Sequence, residues 1–521
     1  MLKNVGSNWA LALIQIIVMI QLTPVQVAAL GADANGAWLT VASLTSVLGL
    51  LILGVPMASV RFIARHAAAK DADKVNQAVA SCLGICVVLG VAAAALGAVL
   101  SVFFEHVYLR APAWQVLGPR WIAEARIAYW IAVVQVGLGF VAQLPFGILE
   151  AHQEFPAKNT VMIASLLLRL GLTFGVLRLH PSLILVALIQ LGCMGVEFVA
   201  SMVLVRRRCP GVHFSLRHFD RSQVRAILGF SLFAMLLSMG NQLAFRSDAL
   251  VIGAFRDPAA GTFFDVGNKF FPPLTGLVLG IGMVVMPLSA RLEAEGNMDE
   301  LRRVFLKWSK IAYSLSLMVG IYLLVLGPEF IGWWMGQEYV GPSGSVVRVL
   351  MFSFLFFLPV RGVALPILMG LGKPVKPALA LLAMGIVNLG LSLVLVGPFS
   401  ILGVAVGTAV PCVLFAVAVA VFACRELGVS VTEYLRYVAS RTSLGVAPAA
   451  LLLLFLKLGF DVFPAALSRS VMFVHLLLAG LAMVAVFAAT WIFFVYRGDP
   501  YFDMTSRVQR FLPGVRRPKA P

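Results

Sequence analysis

Residues 78–104 read AVASCLGICVVLGVAAAALGAVLSVFF and contain no charged side chain. About 20 apolar residues in a helix span the hydrocarbon core of a bilayer, so this stretch is long enough to cross a membrane. Similar stretches follow one another along the chain, separated by short polar loops. Because hydrocarbon offers backbone polar groups no water, such stretches are expected to form helices that satisfy their own hydrogen bonds.

Fourteen such stretches are predicted to cross the membrane, and no hydrophilic insert between them is large enough to fold alone. The composition agrees, with 61% apolar and 12% charged residues. The predicted spans are 9–30, 38–60, 78–104, 127–149, 158–177, 182–205, 225–254, 262–289, 305–326, 346–369, 374–397, 401–424, 440–458 and 470–496. We therefore predict an all-α polytopic membrane protein.

A polar, basic loop at 206–224 divides the first twelve predicted spans into two sets of six. Six spans return the chain to the same side of the membrane, so the two halves would be parallel repeats. The predicted parts are an N-terminal six-helix half at 1–205, a cytoplasmic linker at 206–224, a C-terminal six-helix half at 225–424, and two extra helices with a basic tail at 425–521. Transporters built from two halves hold substrate between them and alternate access by rocking.

The net charge of +17 is explained by membrane topology. Most of the 40 Lys and Arg residues fall on loops that lie on one side if the N-terminus is inside, including Arg206, Arg207 and Arg208. Positively charged loops stay in the cytoplasm, so both termini are predicted to be cytoplasmic. The basic surplus then contacts anionic membrane lipids, and the lack of interleaved aromatic residues argues against a nucleic-acid partner.

The sequence contains no recognisable catalytic or metal-binding constellation. The six cysteines form no CxxC motif, and we expect neither a disulfide nor a metal site. Acidic residues are scattered one or two to each predicted external loop, and no HExxH, GxSxG or P-loop motif occurs. We therefore predict that the protein is not an enzyme and has no cofactor, apart from coupling to H⁺ or Na⁺, which stays open.

Ionisable residues inside predicted spans are costly in hydrocarbon and normally face a wet cavity or a partner. Six stand out: Arg169, Arg246, Asp248, Asp265, Lys269 and Arg361. At ~1.5 Å per residue, Arg246 and Lys269 both lie on the order of 10 Å below the outer face, where they would meet one anionic group. Asp265 and Lys269, four apart, would share a helix face. In the alternative interpretation the acids form structural ion pairs with these cations.

Polar residues and prolines mark further candidate positions. Gln15, Gln21 and Gln26 form a polar stripe in the first span, suited to sugar hydroxyls or to hydrogen bonds between helices. Pro24 would bend that span, and the pair Pro272 and Pro273 would bend or break the eighth. We interpret these three prolines as candidate hinges.

Several motifs carry a resemblance to a known family. They are Leu30-Gly31 through Gly36 and Trp38, Gly54, Arg61-Phe62-Ile63-Ala64, Asp248, Lys269, Pro287, Trp334 to Tyr339, Gly370-Leu371-Gly372-Lys373, Asn388, and Gly403 to Gly407. Over roughly residues 5–440 the chain resembles the oligosaccharide flippases of polysaccharide biosynthesis (Wzx-type). That family belongs to the MOP superfamily, which also holds the multidrug MATE exporters and the lipid II flippases.

The resemblance implies transfer of an undecaprenyl-diphosphate-linked oligosaccharide from the cytoplasmic to the periplasmic leaflet of the bacterial inner membrane. The glycan would belong to a surface polysaccharide such as the O-antigen of lipopolysaccharide, and other polysaccharide-assembly proteins would be partners. Arg246, Lys269, Arg361 and Arg169 would hold the diphosphate, and the three glutamines the sugar. Asp248 or Asp265 would be the site of ion coupling or merely a counter-ion.

Three alternatives stay open. The first is an ion-coupled multidrug exporter of the MATE type, which would favour acidic rather than basic cavity groups. The second is a lipid II flippase, although the first span lacks the arginine that this resemblance implies. The third is a membrane glycan polymerase or ligase, which would need essential external residues such as Glu105 or Arg110.

Overall fold

The computed structural model describes residues 2–52, 54–459, 462–463 and 467–502. The regular secondary structure within these ranges is helical, and they contain no strand. Among the described residues, eleven helices are long and apolar enough to cross a membrane, so the predicted all-α polytopic fold is confirmed. The predicted basic tail beyond residue 502 lies outside the described residues.

Eighteen α-helices follow one another in the described ranges. They are α1 (Leu2–Leu48), α2 (Val55–Ala68), α3 (Ala72–Phe103), α4 (Gly118–Ala142), α5 (Leu144–Ala151), α6 (Phe155–Leu172), α7 (Leu183–Arg208), α8 (Arg221–Phe245), α9 (Ser247–Phe255), α10 (Pro258–Asn268), α11 (Phe271–Ala294), α12 (Met298–Trp334), α13 (Val340–Pro359), α14 (Leu365–Gly370), α15 (Val375–Leu427), α16 (Val431–Leu435), α17 (Arg441–Leu454) and α18 (Arg469–Thr490). Short π-helical segments occupy Phe104–Leu109, Thr173–Leu177, Val360–Ala364, Arg436–Ser440, Phe455–Gly459 and Trp491–Val495. Short 3₁₀ segments occupy Gly49–Ile52, Pro112–Leu117, Leu216–His218 and Gln337–Tyr339.

Two helices are too long for one crossing, and each contains a non-helical residue. In α1 that residue is Gly31, at φ 80° and ψ 166°, a conformation that glycine adopts without steric cost. In α15 it is Ser400, at φ 53° and ψ −138°. The predicted loop 31–37 is therefore replaced by a break at one residue, after which α1 resumes at once. The count of fourteen spans stays a prediction.

The chain forms two compact units. Unit 1 comprises Met1–Asp265 and Leu381–Val404, and unit 2 comprises Val266–Ala380 and Ala405–Pro521. Each unit thus combines segments that are distant in sequence, since part of α15 joins unit 1 while the rest joins unit 2. The predicted division at 206–224 stays a prediction.

Unit 1 packs its helices closely around a buried aromatic cluster. A Cβ atom on Gly90 of α3 would lie 2.6 Å from the carbonyl oxygen of Gly137 in α4, so the two backbones nearly touch. The rings of Phe104 and Tyr129 stack with centroids 5.0 Å apart. The Trp114 indole N–H donates to the carbonyl of Gly253 at 2.7 Å and so ties the outer part of this cluster to α9.

The segment of α15 in unit 1 is attached to α8 and α9 by polar contacts. The Asn388 amide donates to the carbonyl of Ala244 at 3.1 Å. The Arg256 guanidinium donates to the carbonyl of Val396 at 2.6 Å. Backbone carbonyls at helix ends lack intrahelical partners, and this arginine satisfies one of them.

Unit 2 contains a π-helical segment, Val360–Ala364, between α13 and α14. It lies between Pro359 and Pro366, and proline removes backbone donors from a helix, which favours such irregular turns. A Cβ atom on Gly362 would lie 2.8 Å from the carbonyl oxygen of Val278, so only glycine lets this segment approach α11 so closely.

Polar contacts attach the C-terminal helices to α12 within unit 2. The Lys310 ammonium and the Asp499 carboxylate form an ion pair at 2.6 Å, and their side chains are only 2% and 1% exposed. Farther along α12, Lys457 pairs with Glu329 at 2.6 Å. These two ion pairs connect α12 to Asp499 and to the π-helical segment that follows α17.

Candidate functional site

A polar cavity lies within unit 1 between α4, α6 and α7. Its volume is about 270 Å³. We call it the Arg169 cavity, and it is lined by Gln135, Gly139, Ala142, Gln143, Phe146, Ser165, Leu166, Arg169, Gln190, Cys193, Met194 and Glu197. Six of these residues carry polar or charged side chains, which is unusual for a space lined by membrane-spanning helices.

Helical periodicity explains how these side chains converge. On α7, Gln190, Cys193, Met194 and Glu197 are spaced by three and four residues and therefore share one face. On α6, Ser165 and Arg169 are four apart in the same way. Gln143 occupies the turn between α4 and α5. Two helix faces and one turn thus present polar groups to one space.

Five polar side chains of this cavity form no hydrogen bond with protein groups in the described part of the chain. Among the described residues, no hydrogen bond or ion pair engages the side chain of Arg169, of Glu197, or of the glutamines Gln135, Gln143 and Gln190. A guanidinium and three amides offer donors, while the carboxylate and the amide oxygens accept. Such a mixture suits hydroxyl-rich or anionic molecules.

A second cavity, of about 560 Å³, adjoins the first and shares Gln143 and Phe146 with it. We call it the Lys158 cavity. Its ionisable lining residues are Arg61 of α2, Glu150 of α5 and Lys158 of α6, and Lys158 forms an ion pair with Glu150. Its apolar wall includes Val55, Val60, Leu144 and Met162.

The other predicted acidic and basic residues of unit 1 line neither cavity. Arg246 lies at the break between α8 and α9, at φ −120°, and its side chain is exposed. Asp248, in the first turn of α9, is only 3% exposed. Asp265 lies near the end of α10 and is partly buried.

The glutamines of α1 are placed differently from one another. Gln15 and Gln21 are exposed. The Gln26 amide donates to the side-chain oxygen of Asn35 at 2.9 Å, and Asn35 donates in turn to the hydroxyl of Thr262 at 3.0 Å. Gln26 thus takes part in a hydrogen-bond chain between α1 and α10 of unit 1, which is the helix-to-helix role that the sequence left open.

In unit 2, Lys269 and Arg361 lie in irregular backbone. Because α10 ends at Asn268, Lys269 falls in the following turn, and the expectation that it shares a helix face with Asp265 stays a prediction. Arg361 belongs to the π-helical segment and is partly buried. The predicted meeting of Arg246 and Lys269 stays a prediction.

The candidate hinge prolines differ in their effect on the helices. Pro272 and Pro273 stand in the first turn of α11, directly after the break that ends α10. Pro24 lies inside α1, where the non-helical residue of the described helix is Gly31. The Thr23 hydroxyl donates to the Met19 carbonyl at 3.1 Å beside this proline.

Several residues of the two cavities were missed by sequence reasoning. Glu197 falls within the predicted span 182–205, so the rule that charges in spans mark function applied to it as much as to Arg169. Gln190 and Glu197 are seven residues apart and so lie on one helix face, which was a second indication of a polar site on this helix. Glu150 and Lys158 lie near span ends, where charges are common, and gave no distinctive pattern, while Arg61 was noted only as part of a motif of the resemblance.

Comparison with known proteins defines the class. The structure is similar to an inward-facing multidrug resistance MATE family transporter of the MOP superfamily, with a TM-score of 0.66, 16% identity, and 79% of this chain and 94% of that chain covered. It is also similar to the lipid II flippase MurJ in an inward closed conformation, with a TM-score of 0.67, 10% identity, and 94% and 100% covered. A MOP superfamily transporter from Pyrococcus furiosus gives a TM-score of 0.55 at 17% identity, with 80% and 95% covered. The chain is therefore a multi-span membrane protein with the fold of the MOP superfamily transporters.

The sequence narrows this class to a family. No protein of curated function matches the chain in sequence. The family described as "Polysaccharide biosynthesis protein" matches residues 1–293, more than half of the chain. The protein belongs to the polysaccharide biosynthesis protein family.

Proposed function

We propose that the protein is a flippase that moves a polyprenyl-diphosphate-linked oligosaccharide from the cytoplasmic to the periplasmic leaflet of a bacterial inner membrane. The observation that carries the proposal is the Arg169 cavity, whose amides, guanidinium and carboxylate have no hydrogen-bond partner among the described residues. Family membership supports a role in polysaccharide biosynthesis.

The chemistry of the cavity fits a sugar better than an apolar cation. Sugar hydroxyls both donate and accept, and the side-chain amides of Gln135, Gln143 and Gln190 do the same. Burying a hydroxyl without a hydrogen bond costs roughly 2–7 kcal/mol, so a glycan needs such partners to leave water. An apolar cation in a multidrug exporter could not satisfy the hydrogen-bonding groups of three amides in one small cavity.

Other residues complete the proposed mechanism. Arg246, Lys269 and Arg361 are proposed contacts of the diphosphate on its way outward, since charge-assisted hydrogen bonds to phosphate are the strong ones. Asp248 or Asp265 is proposed as the site of H⁺ or Na⁺ coupling. Alternating access would use the breaks near Pro272 and Pro273, with Pro24 as a further hinge.

Reconstitution into vesicles tests the function. We expect purified protein to expose a fluorescently labelled polyprenyl-diphosphate glycan to the opposite leaflet, and Arg169→Ala to slow this transfer about 10-fold or more because a charged hydrogen-bond donor is lost. Arg178→Ala, which changes an exposed arginine of the same unit, is the matched control and should leave transfer unchanged.

Two results would decide against parts of the proposal. Absence of glycan transfer by the unaltered protein, together with uptake of cationic dyes, would favour the multidrug exporter. Normal transfer by the joint Arg246→Ala, Lys269→Ala and Arg361→Ala variant would exclude these three residues as the phosphate contacts while leaving the function intact.

A further inference from the structure

We propose that the Lys158 cavity is the subsite where the diphosphate of the carrier lipid first docks, while the sugar attached to it lies in the adjoining Arg169 cavity. This inference rests on the proposed function and names where within unit 1 the substrate is first bound. It assigns a task to Lys158, Arg61 and Glu150, which the sequence did not single out as a site.

The two cavities have the arrangement that one elongated headgroup requires. They share Gln143 and Phe146, so a molecule in one cavity is in contact with the lining of the other. The larger, of about 560 Å³, is lined by two of the three cations, and the smaller, of about 270 Å³, is lined by Arg169 and all three amides, of which the two cavities share Gln143. Gln143 therefore marks the place where the phosphate-to-sugar bond would lie.

The charges of the Lys158 cavity favour a multiply charged anion. Two cations, Arg61 and Lys158, and one carboxylate, Glu150, line the cavity. The ion pair between Lys158 and Glu150 is only partly buried, with side chains 20% and 28% exposed, so a competing anion can reach it. A diphosphate carries more negative charge than one carboxylate, and it can replace Glu150 as the partner of Lys158 while also attracting Arg61.

The rest of the lining accepts the lipid end of the same molecule. Val55, Val60, Leu144 and Met162 provide an apolar wall beside the charged groups. An isoprenoid chain leaving the diphosphate needs such a wall, because exposed apolar surface is costly in water. In the predicted topology, Arg61 and Lys158 adjoin cytoplasmic loops, so this subsite faces the leaflet from which substrate would be taken.

Binding of a sugar-free probe tests the subsite separately from transport. The full-length protein in lipid nanodiscs is titrated with geranylgeranyl diphosphate and with geranylgeranyl monophosphate by calorimetry. We expect tighter binding of the diphosphate, and Lys158→Gln should weaken it about 10-fold or more. Glu150→Gln should strengthen it several-fold, because the competing carboxylate is removed, a gain that misfolding cannot produce.

A matched control comes from another Lys–Glu pair. Lys373 pairs with Glu426 in unit 2, and Lys373→Gln removes one lysine charge without touching the cavity. Diphosphate binding that is unchanged in Lys158→Gln, or weakened equally in Lys373→Gln, would overturn the proposal. Lack of diphosphate binding by the unaltered protein would also overturn it.

The two proposals fail in distinguishable ways. If the unaltered protein transfers the glycan but Lys158→Gln leaves the affinity for the diphosphate unchanged, the proposed function stands and the proposed subsite is wrong. If the diphosphate binds through Lys158 but no glycan is transferred, the subsite stands and the proposed function is wrong.

Discussion

Replacing Asp499 by asparagine should destabilise unit 2 strongly, because this carboxylate neutralises a buried lysine. Its Oδ2 atom accepts from Lys310 Nζ at 2.6 Å. Its Oδ1 atom accepts from the Tyr437 hydroxyl at 2.8 Å and from the backbone N–H groups of Tyr501 and Phe502, both at 3.0 Å. Asparagine retains an oxygen for the second group of bonds but loses the charge.

The expected cost follows from what is left around Lys310. Removing one partner of a buried ion pair typically costs about 3–5 kcal/mol, because the other charge stays buried and uncompensated. Here Lys310 keeps a hydrogen bond to the Val495 carbonyl at 3.1 Å and lies 4.7 Å and 4.9 Å from the ring centroids of Tyr437 and Tyr496. Cation–π contacts partly offset the loss, so we expect about 3 kcal/mol, at the lower end.

A double-mutant cycle measures this interaction. Asp499→Asn, Lys310→Met and the double variant are compared by denaturant unfolding of the purified protein, with proteolysis of the C-terminal segment as a second measurement. Because the double variant buries no unpaired charge, it should be less destabilised than the sum of the single variants by about 2 kcal/mol or more. Additive losses within about 0.5 kcal/mol would refute the claim that the pair is coupled.

Three further predictions concern the pH dependence of the Lys310–Asp499 pair and two contacts in unit 1. Burial alone would raise the pKa of the Asp499 carboxyl, but hydrogen bonds from Lys310 and Tyr437 hold this pKa below its ordinary value. Its stabilising contribution should therefore be complete above about pH 4 and disappear as the pH falls through the lowered pKa, so the difference in unfolding temperature between wild type and Asp499→Asn should shrink in acid. Gly90→Leu should destabilise unit 1 by about 1–3 kcal/mol in denaturant unfolding, because its Cβ atom would meet the Gly137 carbonyl oxygen, whereas Gly171→Ala, with open space around it, should not. Asn35→Leu should cost about 1–3 kcal/mol by the same assay, since it leaves Gln26 and Thr262 without the partner that now joins them.

Apolar length predicted the fold class well because it reflects a single strong constraint, the thickness of the bilayer. Backbone breaks were harder to predict from the same sequence. Gly31 interrupts α1 for one residue, although the polar stretch after it resembled a loop. Lys269 falls in the turn directly after α10, between the end of that helix and the proline pair in the first turn of α11.

The candidate site was only partly predictable for a different reason. Arg169 was found because it is a charge near the middle of a span, yet Glu197 and Lys310 are also charges within predicted spans and were missed. A sequence reveals that an ionisable group is in a span but not what lies opposite it. Lys310 meets Asp499, which is 189 residues away, and no local pattern joins the two.

Lys310 and Arg169 differ in how the protein surrounds a charge within a membrane span. Placing either cation within a membrane costs free energy unless a partner or water compensates its charge. Lys310 is 2% exposed and engages a carboxylate, a carbonyl and two aromatic rings, so it has nothing left to offer a ligand. Arg169 borders a cavity and, among the described residues, no protein group takes up its donors. Its hydrogen-bonding capacity is therefore available to a substrate, which is why we propose the Arg169 cavity, rather than the better-bonded lysine, as the binding site.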